Sequence, residues 1–129
     1  MNSSNLRLSL LPDNYSICRL EPEADIPYWA LAGDFFSITR TKDELSLVCS
    51  QERVPHGVQC EKGWRCIMVG GPLNFSLTGI LASLTSSLAE AGISLLAIST
   101  FDTDYLLVKA DNLTRTVCTL KEAGHDFVY

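Results

Sequence analysis

The fold is decided by residues 65–110, which read RCIMVGGPLNFSLTGILASLTSSLAEAGISLLAISTFDTDYLLVKA. An apolar run that ends at Gly70 predicts a buried strand, and the apolar residues after it recur at helical spacing. Gly92 is placed to end that helix. Two further apolar runs, separated by Asp102-Thr103, predict a pair of adjacent strands. The segment therefore predicts the order strand, helix, strand, strand.

The remaining residues extend this order to a complete unit. Asp111 or Asn112 is placed to cap a second helix. The two predicted helices end alike, in Glu90-Ala91-Gly92-Ile93 and in Glu122-Ala123-Gly124-His125, and each leads into a strand. The order βαββαβ is that of a ferredoxin-like unit, in which two helices cover one face of an antiparallel sheet.

The first half of the chain can be interpreted as the same topology with shortened helices. We predict strands at 6–10 and 15–20, a turn at Pro12-Asp13-Asn14, strands at 35–39, 45–49 and near 58–61, and short helices at 28–31 and 51–54. The expected fold class is α+β, with two ferredoxin-like units in tandem: residues 1–62, the reduced unit, and residues 63–129.

Composition limits the classes of function. Of 129 residues, 47% are apolar and 19% charged, which favours a folded core over disorder. The net charge is −5 and the basic residues are scattered, so we expect no nucleic-acid partner. No signal peptide or membrane span is recognisable, and five cysteines without a Cys-x-x-Cys pair suggest reduced thiols, so we expect a cytoplasmic protein. Cys18, Cys49 and Cys66 lie in apolar runs and are expected to be buried.

The loop that leads into the first helix is the first candidate ligand site. Amides at a helix N-terminus favour a carboxylate, and Gly70 and Gly71 let the backbone approach a ligand closely. Asn74 or Ser76 could instead simply cap the helix, with Gly-Gly-Pro as an ordinary turn. Gly79 falls inside the predicted helix, where glycine costs about 1 kcal/mol relative to alanine, so a close approach by a ligand or a strand would explain it.

The predicted hairpin is the second candidate. Asp102 or Asp104 could hold an ammonium or guanidinium group by a charge-assisted hydrogen bond. Aspartate is also a common turn residue, and for Asp102 alone that explanation is the better one. Ser99 and Thr100 on the adjoining strand could contribute to the site or could only pack within the strand.

Three segments resemble an ACT domain, the amino-acid-binding regulatory module attached to enzymes such as aspartate kinase. They are VGGPLNFSLTGILASL at 69–84, LAEAGISLLAIST at 88–100 and STFDTDYLLV at 99–108. The last segment is more similar to stand-alone tandem ACT proteins and to the cytosolic arginine sensor of animal cells. That sensor carries four ACT units and this chain has room for two, so the resemblance implies a homodimer.

The resemblance also implies which residues bind the ligand, because ligands of this family lie at the loop before the first helix. The implied ligand-binding residues are Gly71, Asn74, Phe75, Ser76, Leu77, Thr78, Gly79, Ser99, Thr100, Asp102 and Asp104. We expect a regulatory sensor that binds a free amino acid and acts on a regulated protein partner, without a cofactor or a metal. The alternative is a ligand-free protein-interaction module.

An enzyme is not expected. His56 and His125 accompany no recognisable nucleophile motif, and no Gly-x-Ser-x-Gly elbow is present. The run from Gly71 to Gly79 lacks the Lys-Ser/Thr ending of a phosphate-binding loop, and no His/Cys spacing is typical of a zinc site.

Overall fold

The computed structural model describes residues 6–70 and 79–128. Its strands are β1 (Arg7–Leu20), β2 (Ser37–Arg40), β3 (Leu45–Ser50), β4 (Gln59–Val69), β5 (Leu95–Ser99), β6 (Asp104–Lys109) and β7 (Asp126–Val128). Its α-helices are α1 (Ile80–Glu90) and α2 (Leu113–Glu122), and short 3-10 helices cover Tyr28–Ala30, Gln51–Arg53 and Ala110–Asn112. The predicted α+β class is confirmed.

Contacts divide the chain into two compact units. Residues 13–64 form the N-terminal unit, and residues 1–12 together with 65–129 form the C-terminal unit. We predicted a division into residues 1–62 and 63–129. The main difference is that residues 1–12, which we assigned to the first unit, lie in the C-terminal unit. Strands β1 and β4 each contribute residues to both units.

In the C-terminal unit the elements follow the predicted order: β4, α1, β5, β6, α2, β7. The strand order in its sheet is β7-β1-β4-β6-β5. β5 and β6 pair antiparallel from Leu95 opposite Val108 to Ser99 opposite Asp104. β7 runs parallel to the start of β1, with Arg7 opposite Asp126. A strand from the beginning of the chain is thus inserted between the last strand and the first strand of the βαββαβ series.

One apolar core fills the C-terminal unit. Leu84 of α1 and Leu120 of α2 are fully buried in the same cluster as Ile67 and Val69 of β4. Leu8 of the inserted strand belongs to this cluster too. Because both helices contribute to one core, their apolar faces lie where the helical spacing predicted them.

Both α-helices end in the same hydrogen-bonded motif, which explains the repeated sequence at their ends. The amide of Gly92 donates to the carbonyl of Ala89 (3.0 Å), and that of Ile93 donates to Leu88 (2.9 Å). In α2, Gly124 donates to Lys121 (3.0 Å) and His125 to Leu120 (3.1 Å). These are Schellman motifs, in which the glycine adopts a positive φ and the next residue packs inward. Residues 93 and 125 are accordingly buried, at 3% and 2% exposure.

The N-terminal unit contains the strand order β2-β3-β1. The predicted hairpin is confirmed, with β2 antiparallel to β3 and the amide of Thr41 donating to the carbonyl of Glu44 (2.8 Å). Both predicted short helices are single 3-10 turns. The buried residues of the core are Cys18, Ala30, Leu45, Leu47 and Cys49, with Trp29, Ile38 and Cys60 among the half-buried residues around them.

Two sequence-based boundaries were wrong. Pro12-Asp13-Asn14 is not a turn, since β1 runs straight through it. Arg7–Ser9 pair with β7 and Tyr15–Leu20 pair with β3, so Pro12 lies between these two ladders, where a missing amide is tolerated.

The strands predicted near 58–61 and from 65 onward are likewise one strand, β4. Gly63 has a φ of +82° within it, and its amide donates to the side chain of Gln51 (2.7 Å). Glycine accommodates this irregular backbone within the continuous strand.

The predicted burial of three cysteines is confirmed. Cys18, Cys49 and Cys66 are buried, whereas Cys118 on α2 is exposed. Burial raises the pKa of the Cys66 thiol to about 12. A hydrogen bond shared with Cys49, together with burial, raises the pKa of Cys18. A raised pKa keeps a thiol protonated at pH 8, and the protonated form is a poor nucleophile.

We expect iodoacetamide at pH 8 to alkylate Cys118 in the native protein while leaving Cys18 and Cys66 unmodified, because only Cys118 is exposed. Peptide mass spectrometry before and after unfolding in guanidinium would check this. Unfolded protein, the positive control, should be alkylated at all three positions. Rapid native labelling of Cys66 would contradict the buried placement.

Candidate functional site

The candidate loop begins where β4 ends, at a close contact between two backbones. The amide of Gly70 donates to the carbonyl of Arg7 at 2.6 Å. A Cβ atom at position 70 would lie 2.5 Å from that same oxygen. The close approach that glycine permits at position 70 is therefore to β1, rather than to a ligand. Six of the predicted ligand-binding residues lie outside the described residues: Gly71, Asn74, Phe75, Ser76, Leu77 and Thr78.

Gly79 occupies the N-cap of α1, so its predicted position inside the helix was wrong. Its φ is +83°, a conformation that costs other residues about 1–2 kcal/mol. This backbone requirement explains the glycine without any close neighbour, and a Cβ there would meet nothing within 4 Å. The expectation that Asn74 or Ser76 occupies the cap position was also wrong. Gly79 has no side-chain oxygen with which to bond the first amides of α1.

The β5–β6 hairpin is held by a tight turn between Thr100 and Thr103. The amide of Thr100 donates to the carbonyl of Thr103 (2.8 Å), and its hydroxyl donates to the same carbonyl (3.1 Å). The amide of Thr103 in turn donates to the Thr100 hydroxyl oxygen (3.3 Å). Thr100 therefore has a structural role in the turn. Asp102 lies exposed at its tip, as expected of a turn residue.

Thr103 ties this hairpin to the start of the candidate loop. Its side chain is only 8% exposed, and its hydroxyl donates to the carbonyl of Val69, the last residue of β4. Two parts of the predicted site, the hairpin and the end of β4, are thus brought together. Sequence analysis missed Thr103, although its place in the tight turn between two predicted strands could have marked it as a hairpin residue.

Ser99 and Asp104 form a hydrogen-bonded pair at the turn end of the hairpin. They lie opposite each other in the β5–β6 register, and the Ser99 hydroxyl donates to Oδ1 of Asp104 at 2.6 Å. Ser99 is exposed and Asp104 is half-buried. Because the serine orients the carboxylate, this pair presents a fixed negative charge able to accept hydrogen bonds from an ammonium group.

His125, the second histidine that we considered, has a structural partner. Its Nδ1 accepts a hydrogen bond from the amide of Leu6 at 3.2 Å, across 119 residues of sequence. Among residues 6–70 and 79–128, no cluster of three His, Cys, Asp or Glu side chains could hold a metal ion. Within those same ranges, no helix has the length and apolar character to cross a membrane.

Comparisons with known proteins place these features in a family. Residues 59–122, from the start of β4 to the end of α2, match the model of the ACT domain. Residues 13–57 match a separate model of an N-terminal domain. A crystal structure of a protein from Agrobacterium tumefaciens shares 44% sequence identity, covers 96% of this chain and 92% of its own, and has a TM-score of 0.92.

Part of the chain is also similar to a named protein of animals. The human and bovine cytosolic arginine sensor for mTORC1 subunit 1 is 32% identical over an alignment of 95 positions, and the match covers 67% of this chain. The chain covers only 29% of the length of that sensor. The ligand-free regulatory subunit of aspartate kinase from Thermus thermophilus has the same fold, with 14% identity, a TM-score of 0.61 and coverage of 90% and 96% of the two chains. The chain belongs to the ACT domain family.

Proposed function

We propose that this chain is a regulatory sensor that binds a free amino acid at the C-terminal ACT unit and acts on a protein partner. The observation that carries this proposal is the arrangement around Thr103, which fixes the Ser99–Asp104 pair beside the end of β4. After residues 71–78, which lie outside the described residues, the chain continues at Gly79, the N-cap of α1. A binding site formed by the hairpin and the start of α1 would use both of these elements.

The chemistry of the two elements complements the two charges of an amino acid. The Asp104 carboxylate, oriented by Ser99, is suited to the ligand's ammonium group. The first amides of α1, together with the helix dipole, are suited to its carboxylate. The name of one relative supports the same class of ligand, since it is an arginine sensor.

The N-terminal unit supports a tandem arrangement. From residue 13 its elements run strand, 3-10 turn, strand, strand, 3-10 turn, strand. This is the ACT order with each α-helix reduced to one 3-10 turn, so we propose that residues 13–64 form a reduced second ACT unit.

A homodimer is supported by the edge of the C-terminal sheet. β5 ends the strand order and pairs with β6 on its inner side. No charged residue occurs between Gly92 and Phe101, although charges commonly protect an edge strand from pairing with another chain. We propose that β5 of a second copy lies against this edge.

A cytoplasmic location and the absence of catalysis complete the proposal. The related sensor is cytosolic by name, and the unpaired cysteines Cys18, Cys49 and Cys66 suit a reducing compartment. The hydroxyl and carboxylate of the site, Ser99 and Asp104, bond each other rather than a histidine base, which favours binding over nucleophilic catalysis.

A thermal-unfolding screen against the twenty amino acids tests the proposal. A ligand present at a hundredfold its Kd should stabilise the protein by about 2.7 kcal/mol per site and raise Tm by several degrees. Asp104→Asn should weaken binding of that ligand by about tenfold or more, because it removes the charge that faces the ammonium group. Calorimetry would measure the change, and size-exclusion chromatography would show whether a dimer forms.

Asp13→Asn is the matched control, since Asp13 is exposed in β1 and far along the chain from the hairpin. It should leave affinity unchanged. A ligand bound equally well by Asp104→Asn would remove the hairpin from the site. A folded protein that no amino acid stabilises would favour the ligand-free interaction module.

A further inference from the structure

The most exposed apolar side chains of the N-terminal unit cluster around its first 3-10 turn. Tyr28 is 86% exposed, Leu31 49%, Ile26 44% and Phe36 38%. Below we call these four residues the apolar patch. Large apolar side chains this exposed, gathered within residues 26–36, mark a contact surface when a polar rim surrounds them.

The turn's own packing forces this exposure. Ala30 is buried in the core of the unit with Leu45 and Leu47, and Trp29 packs against that core, so the turn is held against the sheet. Residues three apart in a 3-10 turn lie one above the other, which places Tyr28 and Leu31 on the same outward side. The amide of Leu31 donates to the carbonyl of Tyr28 at 3.1 Å and fixes that relation.

Phe36 continues the patch onto the sheet. Phe35 is buried and packs edge-on against Tyr15, with ring centroids 5.7 Å apart. The neighbouring Phe36 is 38% exposed and immediately precedes β2. Ile38 of that strand packs against the core that holds the turn.

The rim of the patch is acidic. Between Arg19 and Arg40 the sequence carries Glu21, Glu23, Asp25 and Asp34 and no Lys or Arg. All four acidic residues are exposed. Even with the two flanking arginines counted, carboxylates remain in excess around the patch.

Both flanking arginines already form hydrogen bonds within the N-terminal unit. Arg19 pairs with Glu21 at 3.3 Å and donates to the carbonyl of Asp43 at 2.9 Å. Arg40 donates to the carbonyls of Pro22 and Ala24, the latter at 2.9 Å, which holds the acidic segment in place. The rim is therefore ordered before any partner arrives, which lowers the entropic cost of docking.

We propose that the apolar patch and its acidic rim are a docking surface for a basic amphipathic segment of another protein. Apolar side chains of the partner would cover Tyr28 and Leu31, and its Lys or Arg residues would meet Glu23, Asp25 and Asp34. A second copy of this chain does not fit, because a symmetric contact would bring the same carboxylates together. This surface belongs to the N-terminal unit, and the proposal for it does not rest on the amino-acid site.

A synthetic helical peptide of Lys and Leu, labelled with fluorescein, is the probe. Anisotropy should show binding to the wild-type protein that weakens as salt is added. Tyr28→Ser or Leu31→Ser should weaken it about tenfold or more, as expected for central apolar contacts. Asp25→Lys with Asp34→Lys should also weaken it. Val128→Ser is the matched control, because Val128 in β7 is 46% exposed, close to the 49% of Leu31, and should have no effect.

Three peptide results would overturn the proposal. They are no binding of the peptide, equal binding of its Glu-for-Lys or Ser-for-Leu counterpart, and unchanged binding by Tyr28→Ser. Sedimentation supplies one more test, since a wild-type dimer that Leu31→Ser dissociates would make a second copy the occupant. Thermal unfolding of each variant establishes that it is folded. None of these results bears on the amino-acid screen, so the two proposals fail independently.

Discussion

Gly70→Ala is expected to destabilise the protein by about 2–4 kcal/mol, which combines a steric clash with a lost hydrogen bond. The added Cβ would lie 2.5 Å from the Arg7 carbonyl oxygen and 3.3 Å from the Arg7 Cβ. The nearest atom belongs to the backbone, so no side chain can rotate away and β1 and β4 must separate locally. Denaturant unfolding followed by circular dichroism would measure the loss.

A double variant separates the backbone clash from the side-chain contact. Arg7→Gly combined with Gly70→Ala removes the Arg7 Cβ and leaves the carbonyl oxygen in place, so it should not restore stability. Gly57→Asn is the control for replacing a glycine: its φ is +89° and nothing lies within 4 Å, and asparagine tolerates that conformation. A Gly70→Ala protein as stable as wild type would show that the two strands are not in contact at this point.

Leu120→Ala is expected to cost about 2–5 kcal/mol, the range for a fully buried leucine whose neighbours cannot close the cavity. Leu120 is 0% exposed in the core that α1 and α2 share. Its carbonyl also accepts the amide of His125 in the motif that ends α2, so the backbone there is held and has little freedom to collapse into the space. The free energy of unfolding in urea would check the prediction.

Thr116→Val provides the comparison within the same helix. Thr116 is also 0% exposed and lies one turn before Leu120. Valine keeps the volume, and the lost hydroxyl donates one hydrogen bond, to the carbonyl of Asn112 at 2.8 Å, so the cost should stay within about 1 kcal/mol. If both variants lost the same free energy, the cavity explanation for Leu120 would fail.

Sequence patterns predicted the C-terminal unit well, because each of its elements is marked locally. Apolar spacing located α1 and α2, and Gly92 and Gly124 marked their ends. In contrast, the alternation at residues 6–10 predicted a strand but could not show that its partner is β7. Pairing partners far apart in sequence leave no local signature, whereas a helix end does.

The candidate site was only partly predictable, for a similar reason. The hairpin pattern located Ser99 and Asp104, and the structure shows them bonded to each other. The role of Gly79 was misjudged because apolar spacing shows which residues share a helix face but not the backbone conformation at the helix start, where the φ of Gly79 is +83°. Nothing in the local sequence showed that the Thr103 hydroxyl reaches the carbonyl of Val69.

The insertion of β1 beside β7 affects how the protein can be synthesised and folded. Leu6 and His125 bond across 119 residues of sequence, so the sheet of the C-terminal unit is not complete until almost the whole of this sequence has left the ribosome. Until then, the edge of β1 at Arg7–Ser9, which pairs with β7, stays open to other nascent chains. Such long-range pairing slows folding, and we expect chaperones to bind the first strand during translation.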